Sequence, residues 1–396
     1  MLRSWLTMVL LAVGLAVAVP VRAAIEDEEP VVAGKKVSEW VQMLKGDKEE
    51  SRRRASLTAL KIIGQRLETP KVIPPIIEAA RDDASDNVRK AATQTLGELA
   101  FFTHDYVDPR KRGEKKKAEV AEAMFKPAFE ALIEQLRVDK AAEVRQTAAE
   151  GLGRLGADAW SAVEPLTNAL KDKADPVRAS AAEALGRVGP KANEAAPLLV
   201  SALQDKKADR YVRLYAAFAL GRIGPMPPDS AVAALGGALS DAESPAEVRK
   251  AAADALGQLG EAAASGVPAL AAALKDKQNL DVRRAAANAL GQVGADGAKA
   301  LPELRLAVKD EDKFVRCHAL RAIGGLGKGG ADAVPDLVRC LKEDSNTDAR
   351  VAAIEAVGSL GLNGSEVVDA LTAASRSSQT VIREAALEAL RKIEEK

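Results

Sequence analysis

One short phrase recurs along the chain, and it constrains the fold more than any other feature. The phrase is an acid, Val-Arg, two spacers, Ala-Ala, Ala-Leu-Gly and a closing Gly, as in DPVRASAAEALGRVG (175–189) and EVRKAAADALGQLG (247–260). Nearly all steps between successive copies are 33 to 36 residues long. A fixed period of this length predicts a stack of similar structural units. The arginines of the copies are Arg53, Arg89, Arg145, Arg178, Arg213, Arg249, Arg283, Arg316, Arg350 and Arg383.

Each copy predicts two helices, of which the second begins just before the arginine. At 100° per residue, the Val before the arginine and the residues at +3, +4, +7 and +11 cluster on one side. These positions hold Ala, Ala, Leu, Ile or Val, and Gly, so they form a buried stripe. The Gly at +11 predicts a left-handed helix end, and the Gly at +8 predicts close helix approach. Ser244-Pro245-Ala246-Glu247 has the spacing of a capping box.

The repeated arginines lie at the edge of the buried stripe, where a charge needs a partner. We predict a ladder of Asp–Arg or Glu–Arg pairs between neighbouring repeats, with the acid two to four residues before each arginine as the partner. Repetition at every step favours a structural role over catalytic carboxylates. The ladder arginines are Arg145, Arg178, Arg213, Arg249, Arg283, Arg316 and Arg350, and the expected acids include Glu143, Asp175, Glu247, Asp281 and Asp348.

The first residues have the features of an export signal. Arg3 precedes an apolar run that ends at Pro20, and small residues precede a cleavage point after Ala23. We predict a signal peptide at 1–23, a linker at 24–36 and an exported, periplasmic or secreted protein with no membrane span after cleavage. A retained membrane anchor is the alternative, but the apolar run is short for a span of ~20 residues.

Charge balance bears on the partner. The chain has 57 Lys plus Arg and 57 Asp plus Glu; removal of residues 1–23 takes away Arg3 and Arg22, which leaves 55 basic against 57 acidic residues. This balance does not suit nucleic acid as a partner.

The two cysteines, Cys317 and Cys340, are interpreted as unpaired small apolar residues, with a disulfide as the alternative.

The repeated phrase resembles the short HEAT repeats of the phycobilisome-lyase type over roughly residues 37–396. The resemblance implies an all-α, right-handed α-solenoid of about ten helix pairs, with the second helices on the concave side, but it does not fix the function. HEAT-type di-iron hydroxylases carry repeated His-Glu pairs; here His104 and His318 are followed by Asp105 and Ala319, so that site is absent. No bilin-lyase residues are evident. We expect no catalytic site, metal or cofactor.

Two segments are candidates for binding a protein partner. Tyr211, Tyr215, Phe218 and Arg222 lie together in one second helix, and aromatics and Arg are favoured anchors; packing between repeats is the alternative. The segment 101–118 accounts for the one long step between arginines and is interpreted as an insertion. Its basic residues include Arg110, Lys111 and Arg112, and a solvated loop is the alternative.

The function that these features favour is an exported scaffold that binds a protein through its concave surface. An accessory subunit of an enzyme, lyase-like, and a glycan-binding structural protein of the cell envelope remain the alternatives.

Overall fold

The computed structural model describes residue 29 and residues 31–107, 115–224 and 229–395, except for the side chains of 104–107 and 115–118. These residues form an all-α solenoid of helix pairs, as predicted. The signal peptide at 1–23 and the first part of the linker, 24–28, lie outside the described residues. The first helices are α1 (Val37–Gly46), α3 (Ile73–Asp82), α5 (Lys115–Val138), α7 (Val163–Ala169), α9 (Ala196–Gln204), α11 (Asp229–Ser240), α13 (Val267–Ala273), α15 (Leu301–Ala307), α17 (Val334–Glu343) and α19 (Ser365–Ala374).

The second helices begin just before the repeat arginines, as predicted. Each packs against its own first helix and against neighbouring second helices of the same unit. They are α2 (Glu50–Leu67), α4 (Asp86–Val107), α6 (Ala142–Arg154), α8 (Asp175–Val188), α10 (Arg210–Arg222), α12 (Ala246–Leu259), α14 (Leu280–Val293), α16 (Lys313–Gly325), α18 (Thr347–Leu360) and α20 (Thr380–Glu394).

Two compact units divide the chain, and the division falls between repeats. The first unit ends at Leu155 and includes α1 to α6; the second begins at Gly156 and includes α7 to α20. Each unit has its core between its two helix layers. No helix among the described residues has the length and apolarity needed to cross a bilayer.

The predicted stripe is buried, and one further position joins it. In α14, Val282, Ala286, Ala287 and Leu290 are inaccessible to solvent, in line with positions −1, +3, +4 and +7. Ala289, at +6, is buried as well. It is buried because a second helix contacts second helices on both of its sides, so more than one stripe is covered.

The glycines at +8 lie where neighbouring second helices approach most closely, as predicted. A Cβ atom at Gly221 would lie 2.7 Å from Ala255 Cα, and one at Gly324 would lie 2.7 Å from Ala356 Cα. Only hydrogen fits at such a separation, so these glycines set the distance between repeats.

The glycines at +11 end most of the second helices in a conformation with positive φ, as predicted. Gly189 and Gly294, for example, both have φ of 75°. Gly64 is an exception, because α2 continues past it to Leu67. After several of these glycines the chain enters a 3₁₀ segment, which the sequence did not indicate: Gly156–Ala162, Gly189–Ala195, Gly260–Gly266, Gly294–Ala300 and Gly327–Ala333.

The insertion predicted at 101–118 is helical at both of its ends. Helix α4 continues to Val107 and α5 begins at Lys115. The physical reason is that Ala100 stands at +11, where other repeats have the helix-ending glycine.

The predicted linker contains a short hairpin. Strand β1 (Val31–Val32) pairs antiparallel with β2 (Lys35–Lys36) and leads directly into α1. Trp40 Nε1 donates a hydrogen bond of 3.0 Å to the Val32 carbonyl. Trp40 is half-buried beside the hairpin, so this end of the first unit is covered by the residues before it.

Candidate functional site

Repeat arginines hold the turn of their own repeat. The turn follows the first helix, and its aspartate carbonyl accepts a hydrogen bond from the arginine about six residues later. Arg316 Nη1 donates to the Asp310 carbonyl at 2.9 Å, and Arg283 Nη1 to the Asp276 carbonyl at 2.8 Å. The same contact joins Arg53 to Asp47, Arg89 to Asp83, Arg145 to Asp139 and Arg178 to Asp172.

Several of these arginines also reach the turn of the next repeat. Arg316 donates to both carboxylate oxygens of Asp344, from Nε at 2.8 Å and from Nη2 at 2.9 Å. The ladder therefore runs between neighbouring repeats. Equivalent ion pairs join Arg53 to Asp83 at 2.7 Å, Arg89 to Asp139 at 2.8 Å, Arg249 to Asp276 at 2.6 Å and Arg283 to Asp310 at 3.0 Å.

The partner acids mostly differ from those expected. Asp281 and Asp348 are exposed and bind Arg284 and Lys313 instead of the repeat arginines. Arg178 and Arg89 do pair with an acid three residues before them, Asp175 and Asp86 respectively, as predicted. The usual partner is an aspartate that is distant in sequence, because a guanidinium at the start of a second helix points along the stack toward the next turn.

At Arg213 and Arg350, the ladder arginine binds a hydroxyl or a backbone carbonyl, and none of the described carboxylates pairs with it. Arg213 is buried, and it donates to Ser244 Oγ at 2.6 Å and to the Leu203 carbonyl at 3.1 Å. Asp241, the turn residue that would match Asp344, pairs with Lys206 at 2.8 Å. The capping box predicted at Ser244 does not form, since its hydroxyl binds Arg213. Arg350 Nε donates to the Leu341 carbonyl.

The ladder carboxylate of Asp344 is held in its ionised form by its neighbours. Burial raises the pKa of Asp344, but hydrogen bonds from Arg316 and from the Asn346 N–H outweigh it and lower the pKa below its usual value. Asp344 thus stays ionised and is fully engaged in structure, which is opposite to what a general acid near neutral pH needs.

The predicted aromatic cluster on α10 divides into two parts. Tyr211 is exposed, and the Arg210 guanidinium lies 4.7 Å from the ring centroid and donates to its hydroxyl at 2.8 Å. Phe218 and Tyr215 are half-buried. The Phe218 ring packs on Gly186 of the preceding second helix, and the exposed Arg222 stacks on it at 5.3 Å while donating to the Gly186 carbonyl at 3.0 Å.

We define the second-helix surface as positions +5 and +9 of the second helices, where Phe218 and Arg222 lie. Its charges in the second unit are largely paired within the surface. Glu183 binds Arg187 at 2.6 Å in one helix, and Arg321 approaches Glu355 of the next repeat at 3.6 Å. Such exposed pairs contribute little to stability. They leave the surface close to neutral, and Phe218 is its one aromatic residue among those positions.

The structure describes only part of the second candidate segment, residues 101–118. Arg110, Lys111 and Arg112 lie outside the described residues. Within it, Phe101 is half-exposed and Phe102 is partly covered.

Two exposed aromatic residues were missed in the sequence. Trp160 is 57% exposed on the 3₁₀ segment after α6, with Lys191 Nζ 5.3 Å from its ring. Phe314 is 48% exposed at the start of α16, between Arg284 and Lys313. Trp160 occupies a place where other repeats have a small or polar residue, and that departure was a usable signal. Phe314 stands two residues before its repeat arginine, as Tyr211 does, where most other repeats have a polar residue.

The two cysteines are buried, and the described acidic residues are not grouped around a metal-binding position. Cys317 and Cys340 are buried and unpaired, as expected, and burial raises the pKa of both thiols. Among the described residues no group of three or more His, Cys, Asp or Glu side chains is placed to hold a metal ion.

The fold and the ladder define the class of protein. It is an α-solenoid repeat protein whose repeated charged residues hold neighbouring repeats together. Sequence models of protein families identify the family. The model for HEAT repeats matches residues 129–210, 201–291 and 301–391, a single HEAT repeat matches 72–102, and the PBS lyase HEAT-like repeat matches 282–310. The chain therefore belongs to the HEAT-repeat family, as the repeated phrase predicted.

Solved structures with the same fold include karyopherins. A Kap95:Nup1 complex matches with a TM-score of 0.59 at 14% identity, covering 90% of this chain and 52% of that one. Importin beta matches with a TM-score of 0.58 at 14% identity, covering 90% and 51%, and yeast importin-beta (Kap95p) with 0.56 at 14%, covering 90% and 52%. The chain spans about half the length of these proteins, and the likeness is one of fold. No curated protein matches the chain in sequence.

Proposed function

We propose that this protein is an exported HEAT-repeat scaffold that binds a protein partner, and that it performs no catalytic step itself. The observation that carries the proposal is the departure of α10 from the repeat. The stacked Phe218–Arg222 pair stands on a surface that is otherwise polar and internally neutralised, and the exposed Tyr211 lies at the start of the same helix.

Aromatic rings and guanidinium groups held rigidly before binding are effective anchors, because little side-chain freedom is lost when a partner covers them. Arg222 is held by the Gly186 carbonyl and by the Phe218 ring, and Tyr211 is held by Arg210. The second-helix surface, which the family resemblance makes the concave one, is thus the proposed docking face. Karyopherins with this fold, such as Kap95 in its complex with Nup1, bind protein partners.

The test is capture of the partner from native cell-envelope extract with the chain from Ala24 onward as bait. Tyr211→Ala/Arg222→Gln removes the two exposed anchors, and Trp160→Ala is the matched control because it removes an exposed aromatic elsewhere in the same unit. Circular dichroism verifies that all baits keep their helicity. We expect the double variant to retain about tenfold less partner, equivalent to ~1.4 kcal/mol, and the control to retain it fully.

Equal capture by all three baits would contradict the assignment of the docking face. Capture of nothing by the native bait would contradict the scaffold itself.

Export is tested separately, because it rests on Met1–Ala23 alone. We expect the protein from its native host to begin at Ala24, as N-terminal sequencing would show, and to fractionate outside the cytoplasm. An intact Met1 on the accumulated protein would contradict a cleaved signal.

A further inference from the structure

Three cationic side chains converge on one buried carboxylate in the first-helix layer of the second unit. Arg305 Nε donates to Asp336 Oδ2 at 2.6 Å, Arg339 Nη2 lies 3.0 Å from Asp336 Oδ1, and Lys309 Nζ lies 3.8 Å from the same oxygen. Arg305 and Lys309 belong to the repeat of α15, and the other two residues lie on α17. We infer that Arg305, Lys309 and Arg339 form a binding site for a dianionic oxyanion, a phosphoryl group in particular.

The charge count carries the argument. Asp336 supplies one negative charge against three positive ones, which leaves two positive charges within a few ångströms. Asp336 accepts one hydrogen bond from the three cations, from Arg305. Lys309 and Arg339 make ion-pair contacts with it but no hydrogen bond. The exposed ammonium group of Lys309 therefore remains for a second acceptor, whereas Arg339 Nη2 is buried against the carboxylate and contributes its charge.

The geometry suits capture from solution. The Asp336 side chain is 7% exposed, whereas those of Arg305, Lys309 and Arg339 are 43%, 56% and 39% exposed. The carboxylate therefore lies beneath the cations and holds them together. Guanidinium groups match the oxygens of phosphate in a fork geometry, and a net charge of two matches a dianion.

The neighbouring step of the same layer shows that stacking does not need this cluster. There Lys275 pairs with Glu303 at 3.1 Å, one cation with one acid. In the α13 repeat, Ala271 and Ala272 stand where Arg305 and Arg339 stand when the helices are aligned on their early proline. Departures from a repeat's local rule mark positions under functional demand.

The test is calorimetric titration of inorganic phosphate into the full chain, in a buffer free of other polyvalent anions. We expect saturable binding at one site. Arg305→Gln/Lys309→Gln should weaken it about tenfold or more, since charge-assisted hydrogen bonds are lost. Lys299→Gln is the matched control, because Lys299 is 68% exposed and pairs with Asp296 on a nearby 3₁₀ segment.

A phosphoserine peptide forms the second arm and distinguishes the source of the phosphoryl group. Tighter binding of the peptide than of phosphate supports a phosphorylated macromolecule, and equal binding supports the free ion. No saturable binding of either, or an equal loss in Lys299→Gln, would overturn the site.

Asp336→Asn separates a binding role from a structural one. This substitution raises the net charge of the four side chains from +2 to +3. Phosphate should therefore bind more tightly to this variant, and should stabilise it more than it stabilises the native chain. A network that serves only the stack would lose stability on this change without any gain in phosphate binding. The outcome does not depend on the proposed scaffold function.

Discussion

The distance between neighbouring second helices predicts that a glycine-to-alanine substitution has opposite effects on stability at two matched positions. Gly257 and Gly291 occupy the same +8 position within ADALGQLG and ANALGQVG, each two residues before its helix ends. A Cβ at Gly257 would lie 2.9 Å from Ala289 Cα and 3.1 Å from its Cβ. A Cβ at Gly291 would lie 3.4 Å from Ala322 Cα, an ordinary contact.

The magnitudes follow from two opposing effects. In a helix, Ala is favoured over Gly by up to ~1 kcal/mol. At Gly257 the contact is with backbone, which cannot turn aside, and such overpacking costs about 1–3 kcal/mol. The Gln292 side chain would also have to move, because its Oε1 would clash with the added Cβ. Gly257→Ala should therefore destabilise by roughly 0–2 kcal/mol, and Gly291→Ala should stabilise by about 0.5–1 kcal/mol.

Urea unfolding followed by circular dichroism at the helical band measures both effects. We expect the midpoints of the two variants to move in opposite directions from that of the native chain, at an unchanged slope. If Gly257→Ala stabilises the protein as much as Gly291→Ala does, close approach at +8 does not limit the repeat spacing and the argument is refuted.

Three further predictions concern the ladder, acid stability and the thiols. Asp344→Ala leaves the half-buried Arg316 without its carboxylate and should destabilise by up to ~3 kcal/mol, whereas Asp348→Ala, at an exposed acid, should change stability by under about 0.5 kcal/mol. Urea midpoints compare the two variants, and a larger effect at Asp348 would support the partner expected from sequence. Hydrogen bonding from Arg284, aided by the Val315 N–H and opposed by burial, lowers the pKa of Asp312 from 3.8 to about 2. Its ionised form therefore stabilises the fold above pH 3.8, and this contribution is lost as the pH falls through about 2. The difference in unfolding free energy between the native chain and Asp312→Asn should vanish over that pH range. A chromogenic disulfide reagent should leave Cys317 and Cys340 unmodified in the folded protein and titrate both in urea, because burial raises both pKa values; rapid reaction of either in the folded state would contradict their burial.

The second helices and their stripe were predictable because each repeat states the same pattern. A residue that recurs at +3, +4 or +7 in every copy occupies the same environment in every copy. The burial of position +6 was not predicted, because a helical wheel drawn for a single helix treats only one face as buried. In the stack, Ala289 is covered by Gly257 of the preceding second helix, a contact that no single repeat contains.

The ladder partners were not predictable by proximity in sequence. Asp348 lies two residues before Arg350, but it sits on the exposed first turn of its helix. Asp344 lies 28 residues after Arg316 and is the true partner. A signal was present, since an aspartate closes most first helices at a nearly constant distance before the next arginine, as Asp310 does before Arg316.

Recognition in such a chain has to come from residues that the repeat does not dictate. The ladder binds its charges internally, as Arg316 and Asp344 show, so its members are not available to a ligand. Among the described residues, the exposed side chains that depart from the repeat include Tyr211 in the second-helix layer, and Arg305 with Arg339 in the first-helix layer. Because these two groups lie on different layers, each can be removed without disturbing the other, so a partner protein and an oxyanion would be bound independently.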